Sequence, residues 1–208
     1  MCWSREVSLI TFATSLAAGL FGLSQGVAVS PLYFNFISIQ LAEAGMWHDA
    51  GCGGLNQACT AAGILLIATQ PMLKMYSLLG GRRPGWAAPA YAAATALILA
   101  VLALRAARDP SVMCTVRSDR SAHLSWRFLP GARSPVVALW FAAFFASHLL
   151  APGPLPALSG LAQAALVAYS MRNAVRDSTW GSRWCYFSNA ASLVVLAQAA
   201  LAGRITRA

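Results

Sequence analysis

Charged side chains are scarce in this sequence. Only 10% of its 208 residues are charged, whereas 58% are hydrophobic; an average soluble domain has about 25% charged residues. A soluble fold of this size has too little interior to hide so much apolar surface, so the composition excludes an ordinary soluble domain. The apolar residues fall in stretches of about 17 to 25, the length that crosses a bilayer. A single integral membrane domain is therefore predicted.

The sequence also lacks the motifs of several enzyme classes. It has no glycine-rich phosphate loop, no HExxH metal site and no GxSxG nucleophile motif. Its five cysteines include no CxxC pair and are odd in number, so neither a zinc site nor a complete disulfide framework is indicated. These absences favour a protein that is not an enzyme, and they predict no cofactor and no metal.

Acidic residues are few: the chain has six, against 14 arginines and one lysine, which gives a net charge of +9. In a soluble protein such an excess suggests a nucleic-acid partner. Here the arginines flank apolar stretches, which is where the positive-inside rule places them in membrane proteins. The sequence therefore predicts the lipid bilayer as a partner and no nucleic acid.

Prolines, glycines and arginines divide the chain into seven apolar segments. The predicted fold is all-α, an integral membrane bundle of seven transmembrane helices. The predicted spans are about 7–29, 31–47, 55–79, 86–104, 135–150, 155–171 and 184–202. Residues 105–134 are predicted to form an extramembrane loop, with a short strand or an interfacial helix around 123–128.

Seven spans place the two chain termini on opposite sides of the membrane. Ten arginines then lie on the N-terminal side, and five basic residues lie on the other. This bias predicts that the N-terminus and loop 105–134 are cytoplasmic, where cysteines are reduced. Five tryptophans share that side, as an interfacial belt or as a contact surface for a protein partner or a homo-oligomer: Trp3, Trp47, Trp126, Trp180 and Trp184.

Two neighbouring spans carry polar residues at helical spacing, so each presents a polar stripe. The stripes are expected to face one another. Glu43 is the most costly of these residues, because it lies about five residues, or roughly 7 Å, inside the end of its span. An unpaired carboxylate there costs a few kcal/mol, so Glu43 is expected to be protonated, in contact with water, or paired with Arg172 or Arg183.

The first functional hypothesis is a transporter or channel-like protein for a small solute, an ion or protons. Its polar site would lie between the second, third and seventh spans and contain Glu43, Gln40, Asn56, Gln70 and Asn189. The alternative is a non-catalytic structural subunit of a larger membrane complex, in which Glu43 is an anchor hydrogen-bonded to neighbouring helices. Lys74 is expected to snorkel to the far interface, and His148 to be a packing residue.

Several short motifs resemble an uncharacterised family of seven-span membrane proteins associated with large DNA viruses and marine protists. These are the opening MCWS, the pattern FxFxxxQxxE from Phe34 to Glu43 followed by Trp47, the segment from Asn56 to Pro71, and the late WCYF from Trp184. The resemblance implies seven spans and draws attention to the same polar positions, but it implies no activity. A second resemblance, through Gln70-Pro71, is to seven-span transporters with a Pro-Gln motif.

Overall fold

The chain folds into a bundle of α-helices with one small β-hairpin. The computed structural model describes residues 4–121, 123–129, 134–172 and 179–205, with the backbone only for 186–188 and 202–205. In this part the helices are α1 (Arg5–Ser24), α2 (Pro31–His48), α3 (Gly54–Leu79), α4 (Ala87–Arg108), α5 (Pro135–Leu150), α6 (Pro154–Arg172), α7 (Trp180–Ser188) and α8 (Ala191–Ile205). The strands are β1 (Thr115–Arg117) and β2 (Leu124–Trp126). The prediction of an all-α fold is confirmed, and the number of membrane crossings stays a prediction.

In the described part of the chain, three helical segments are long and apolar enough to cross a membrane. They are α1, α3 together with the turn that follows it (Gly54–Arg82), and α4. The helix α5 and residues Ala191–Leu201 of α8 are also apolar but shorter. Large apolar side chains on the outside of these helices are exposed, among them Leu9, Ile10, Leu20, Leu65, Leu97, Leu104, Leu149 and Leu193. These features are consistent with an integral membrane protein.

Local signals in the sequence explain where α2 and α3 begin. Ser30 caps α2, because its hydroxyl accepts the N–H of Leu32 at 3.1 Å, and Pro31 follows in the first turn. Asp49 caps α3 from the preceding turn. Its carboxylate accepts the N–H groups of Gly53 at 3.1 Å and of Asn56 at 3.0 Å, which would otherwise have no partner in the first turn of a helix.

The helix α2 lies at the centre of the bundle. It contacts α1, α3, α7 and β1, and its buried residues occur on every side of the helix. Small residues let α2 and α3 approach closely: Gly45 lies against Cys59 Sγ, and a Cβ at Gly63 would come within 3.2 Å of Met46 Cε. The prediction that the two helices pack together is confirmed. Polar side chains take part in the contact as well: Asn35 on α2 donates to the carbonyl of Leu66 at 3.0 Å, and Asn56 on α3 donates to the carbonyl of Met46 at 3.1 Å.

Helix ends meet at two opposite faces of the bundle. At one end Arg5 Nη1 lies 3.0 Å from His48 Nδ1, so the start of α1 adjoins the end of α2. We call this the hairpin face, because the β-hairpin lies there. At the other end Ser30 Oγ lies 2.7 Å from Ser77 Oγ, so the start of α2 adjoins the end of α3. We call this the opposite face.

The β-hairpin belongs to the core of the bundle. Its strands pair antiparallel, with Thr115 opposite Trp126, which confirms the strand predicted around 123–128. Leu124, Trp126 and Phe128 are 1% exposed or less and join the main hydrophobic cluster of the helices. The segment predicted as a loop outside the membrane therefore closes one end of the helical core.

An exposed carboxylate shapes the connection from α4 to the hairpin. Asp109 accepts hydrogen bonds from the hydroxyl of Ser111 at 2.6 Å and from its N–H at 3.0 Å, and this starts the short 3-10 turn Pro110–Met113. These two bonds hold the pKa of the Asp109 carboxyl below its usual range. The turn is therefore favoured above the ordinary pKa of an aspartate and weakens as the pH falls through the lowered value.

The seventh predicted span is not one continuous helix. The chain breaks at Asn189 and Ala190, which separate α7 from α8. The side-chain Nδ2 of Asn189 donates to the backbone carbonyl of Cys185 at 2.8 Å. The backbone carbonyl of Asn189 accepts the N–H of Ser192 at 2.9 Å. An asparagine side chain that bonds the backbone in this way competes with helix continuation, which explains the break inside the predicted span 184–202.

Candidate functional site

Asn56, a predicted member of the polar site, is used to hold the hairpin. Its Nδ2 donates to the carbonyls of Thr115 at 2.8 Å and Met46 at 3.1 Å, and its Oδ1 accepts the N–H of Thr115 at 3.0 Å. Thr60 also donates to this oxygen at 3.4 Å. The carboxamide thus bonds both backbone groups of Thr115, as a neighbouring strand would. All of its hydrogen-bonding capacity is engaged, so it is a structural residue.

A disulfide fastens the hairpin to the connection between α2 and α3. Cys52, between α2 and α3, is bonded to Cys114, which directly precedes β1, and their Cα atoms are 5.2 Å apart. The bond closes a loop between residues 62 positions apart, for which a stabilisation of about 2–4 kcal/mol is typical. The sequence analysis did not indicate this pair, because no spacing motif links cysteines so distant in the chain. Only the fold brings them together.

Gln40 and Glu43 lie on the central helix α2, and Asn189 follows α7, which packs against α2. Gln40 and Glu43 are one turn apart and are both fully buried. Asn189 donates to the carbonyl of Cys185 on α7. Asn56 reaches the same central helix, because it donates to the carbonyl of Met46, one turn beyond Glu43.

The pairing of Glu43 with Arg172 or Arg183 stays a prediction. Where both partners are described, the one ion pair is Arg5–Glu6 at 3.3 Å on the surface. Arg172 lies exposed at the end of α6, and Arg183 lies half-buried on α7.

Gln70 lies beside a small closed cavity under the hairpin. The cavity has a volume of about 20 Å³, which is enough for about one water molecule. Four tryptophans contribute to its wall: Trp126, Trp140, Trp180 and Trp184. Within the described residues, neither atom of the Gln70 carboxamide has a hydrogen-bond partner, and the same holds for the indole N–H groups of Trp126 and Trp184. The surface of the cavity itself is apolar, so it does not offer the two to four polar partners that a buried water molecule needs.

A second, larger cavity opens at the opposite face of the bundle. Its volume is about 440 Å³, within the range of roughly 300–1,000 Å³ that is common for small-molecule sites. It extends from residues 28–30, which join α1 to α2, as far as Trp184 near the centre of the bundle. Helices α6 and α8 border it with residues that are exposed, including Ser159 and Gln198. We call it the open cavity.

Lys74, the single lysine of the chain, lines the open cavity. Its side chain is 7% exposed, its Nζ donates to Gln163 Oε1 at 3.1 Å, and the same nitrogen lies 5.3 Å from the centre of the Phe144 ring. The ammonium is therefore held inside the bundle by a hydrogen bond and a cation–π contact. The prediction that Lys74 snorkels to the interface was wrong.

Three further polar groups from α5 and α6 surround the lysine. Gln163 Nε2 donates to Ser159 Oγ at 3.0 Å. His148 lies beside Lys74 and Gln163, its Nδ1 is 2.7 Å from the carbonyl of Pro156, and its ring stacks on Phe145. His148 is buried, and the packing role predicted for it stays a prediction. The sequence analysis missed Ser159 and Gln163, although two polar residues four positions apart in an apolar span are the signal that would have found them.

Trp184 separates the two cavities. Among the residues that the structure describes, it alone lines both the closed cavity and the open cavity. Its ring packs edge-on against Phe36, with centroids 6.3 Å apart, and against Phe144 at 6.2 Å. Phe144 in turn stacks on Trp140 at 4.9 Å. This aromatic group, with Trp184 at its centre, is a partition between the opposite face and the space under the hairpin.

Comparison of the chain with protein-family models, curated protein sequences and solved structures gave no match. The resemblance to a family of seven-span membrane proteins therefore stays a prediction. The function has to be argued from the two cavities and the residues that line them.

Proposed function

We propose that this protein transports a small anionic solute across a membrane, with α7 and α8 together forming the seventh crossing. The observation that carries the proposal is the open cavity of about 440 Å³, which enters from one face and ends on a buried lysine and a tryptophan partition. A buried ionisable residue facing a cavity inside a membrane protein commonly marks the path of a substrate.

The two cavities suggest how a solute would pass. From the open cavity a solute would reach Trp184, then the closed cavity beside Gln70, and finally the hairpin, which closes the hairpin face. Transport would require Trp184 to move. The break at Asn189 and Ala190 gives α7 a hinge next to this tryptophan, and broken helices are a recurring feature of substrate sites in transporters.

The alternative function, a structural subunit of a larger complex, predicts that the polar groups saturate each other and leave no accessible cavity. Asn56 follows that prediction. Asn35 follows it only in part: its Nδ2 donates to the carbonyl of Leu66 at 3.0 Å, but its buried Oδ1 has no hydrogen-bond partner among the described residues. The open cavity favours transport instead. Three tryptophans of the predicted partner surface, Trp126, Trp180 and Trp184, are buried in the core and do not lie on the surface. Partner binding at the hairpin face stays a prediction.

Uptake into liposomes tests the transport function. Purified protein in liposomes is expected to take up hexanesulfonate, a permanently charged anion that cannot cross lipid as a neutral acid. Lys74→Met should lower the initial rate about tenfold or more, because a hydrogen bond to a charged group is lost, whereas Lys74→Arg should keep part of it. Gln57→Ala, on the exposed side of α3, is the matched control. Uptake equal to that of protein-free liposomes would favour the structural role.

The disulfide gives evidence about the side of the membrane on which the hairpin face lies. Arginine counting predicts a cytoplasmic hairpin face, whereas a disulfide at that face is typical of an oxidising compartment. We give the disulfide more weight, because the reducing cytoplasm removes such bonds, while the charge rule is a statistical bias. We therefore propose that the hairpin face lies in an oxidising compartment.

The redox state of the cysteine pair in cells tests this orientation. After acid trapping of the thiols, Cys52 and Cys114 are expected to react with a mass-tagged maleimide only when a reductant is added first. Cys59, which is free, should react without it under denaturing conditions and serves as the internal control. Labelling of all three cysteines before reduction would support the cytoplasmic orientation instead.

A further inference from the structure

The positive charge of Lys74 has no acidic neighbour to balance it in the described part of the chain. The one ion pair found there joins Arg5 and Glu6 at the hairpin face, far from the cavity. Gln163 and Phe144 are uncharged, and His148 is basic. A buried charge is stable only when it is paired or well solvated. A bound anion would supply the missing partner.

The surroundings of the lysine fit a single small anionic group. An ammonium has three N–H donors, and one of them is used on Gln163. The others remain for an anion in the cavity, and the hydroxyl of Ser159 lies beside Gln163 to add a further hydrogen bond. Among the described residues, Lys74 is the one cationic side chain in the wall, so the site matches one negative charge better than a phosphate with two.

The wall of the open cavity is apolar apart from Ser30, Tyr33, Lys74, Ser159, Gln163 and Gln198. Aliphatic and aromatic side chains form the rest of it, among them Leu32, Phe36, Leu166, Val194 and Val195. This apolar part gives no hydrogen bonds to a sugar or a nucleoside. It favours a hydrocarbon body, which gains binding free energy in proportion to the apolar area it buries.

We infer that the open cavity binds an amphiphilic monocarboxylate, with its carboxylate on Lys74 and Gln163 and its hydrocarbon body against α2 and α8. The inference uses the same cavity as the proposed transport function, but it concerns binding alone. A ligand held there without being moved would agree with the inference and would disagree with transport.

Binding to protein in lipid nanodiscs tests the inference, with empty nanodiscs as the blank. Octanoate is expected to bind, and affinity should rise about fourfold for each methylene added from butanoate to octanoate. Octanol, which has the same chain and no charge, should bind at least about tenfold more weakly. Equal affinity for octanol and octanoate would overturn the role of the lysine, and equal affinity for acetate and octanoate would overturn the apolar half of the site.

Substitutions of Lys74 and Gln163 test whether octanoate binds in the open cavity. Lys74→Met should weaken octanoate about 10- to 100-fold and leave octanol unchanged, and Lys74→Arg should recover part of the loss. Gln163→Leu is the second variant, in case Lys74→Met does not fold, and it should weaken octanoate in the same direction. Gln57→Ala should bind as the parent protein does. Octanoate binding that is unaffected by both Lys74→Met and Gln163→Leu would contradict the inference.

The uptake experiment and the binding experiment can each fail without the other. Octanoate binding without hexanesulfonate uptake would remove the transport function and keep this binding site. Uptake without octanoate binding, in protein whose uptake still depends on Lys74, would keep transport and remove the amphiphile as the class of ligand.

Discussion

Replacing Asn56 by leucine is expected to lower the free energy of unfolding by about 3–5 kcal/mol and to release the β-hairpin from the helices. The substitution keeps the apolar bulk but leaves three buried backbone groups without a partner, the N–H and carbonyl of Thr115 and the carbonyl of Met46. Each such group costs about 1–3 kcal/mol. Denaturation in mild detergent, followed by circular dichroism, measures the loss.

Two comparisons make the Asn56 result specific. Gln57→Leu changes the adjacent, exposed amide and should alter stability by no more than about 0.5 kcal/mol. Hydrogen exchange should quicken at 115–126 in Asn56→Leu before it quickens in α1 or α4. A loss below about 1 kcal/mol, the usual net effect of one ordinary hydrogen bond, would show that the hairpin is held by the disulfide and the core instead.

Replacing Trp184 by alanine is expected to join the two cavities. The indole is 4% exposed and separates the open cavity from the closed one. Its removal should cost about 3–5 kcal/mol of stability, as large-to-small changes in a core do. A cysteine placed at Val137, in the wall of the closed cavity, should then react with a water-soluble maleimide that it resists in the parent protein.

Trp86→Ala is the matched control for this prediction. Trp86 is a tryptophan that is 57% exposed, far from either cavity wall, so its loss should change neither stability nor labelling at position 137. If Trp184→Ala leaves the introduced cysteine unreactive while the protein stays folded, Trp184 is not the partition, and the proposed path through it is wrong.

The sequence predicted the helices well because their signals are local. Helix α2 begins at Pro31, where the predicted span 31–47 begins, and the predicted polar positions Asn56 and Gln70 of α3 are buried. A helical period and the start of a helix depend on neighbours a few residues away. The predicted span 184–202 is divided into two helices for a local reason too, because Asn189 turns its side chain onto the backbone.

The candidate site was harder to predict because it depends on contacts between distant residues. Asn56 was assigned to a transport site, yet its partner Thr115 is 59 positions away in a segment predicted to lie outside the bundle. Lys74 was placed at the interface by its position in the span. Its burial depends on Gln163, 89 positions further along the chain. Neither the periodicity nor the composition of a sequence predicts which helix will pack against a given helix face.

The central claim is that a cavity enters the bundle from the opposite face and stops at Trp184. Thiol labelling of the intact fold tests it most directly, in protein whose other cysteines outside the disulfide have been replaced. Ala191→Cys, in the wall of the open cavity, is expected to react rapidly with a water-soluble maleimide, while Val137→Cys in the closed cavity does not. Equal protection of the two positions would contradict the account, because it would mean that no water-filled path reaches the centre of the protein.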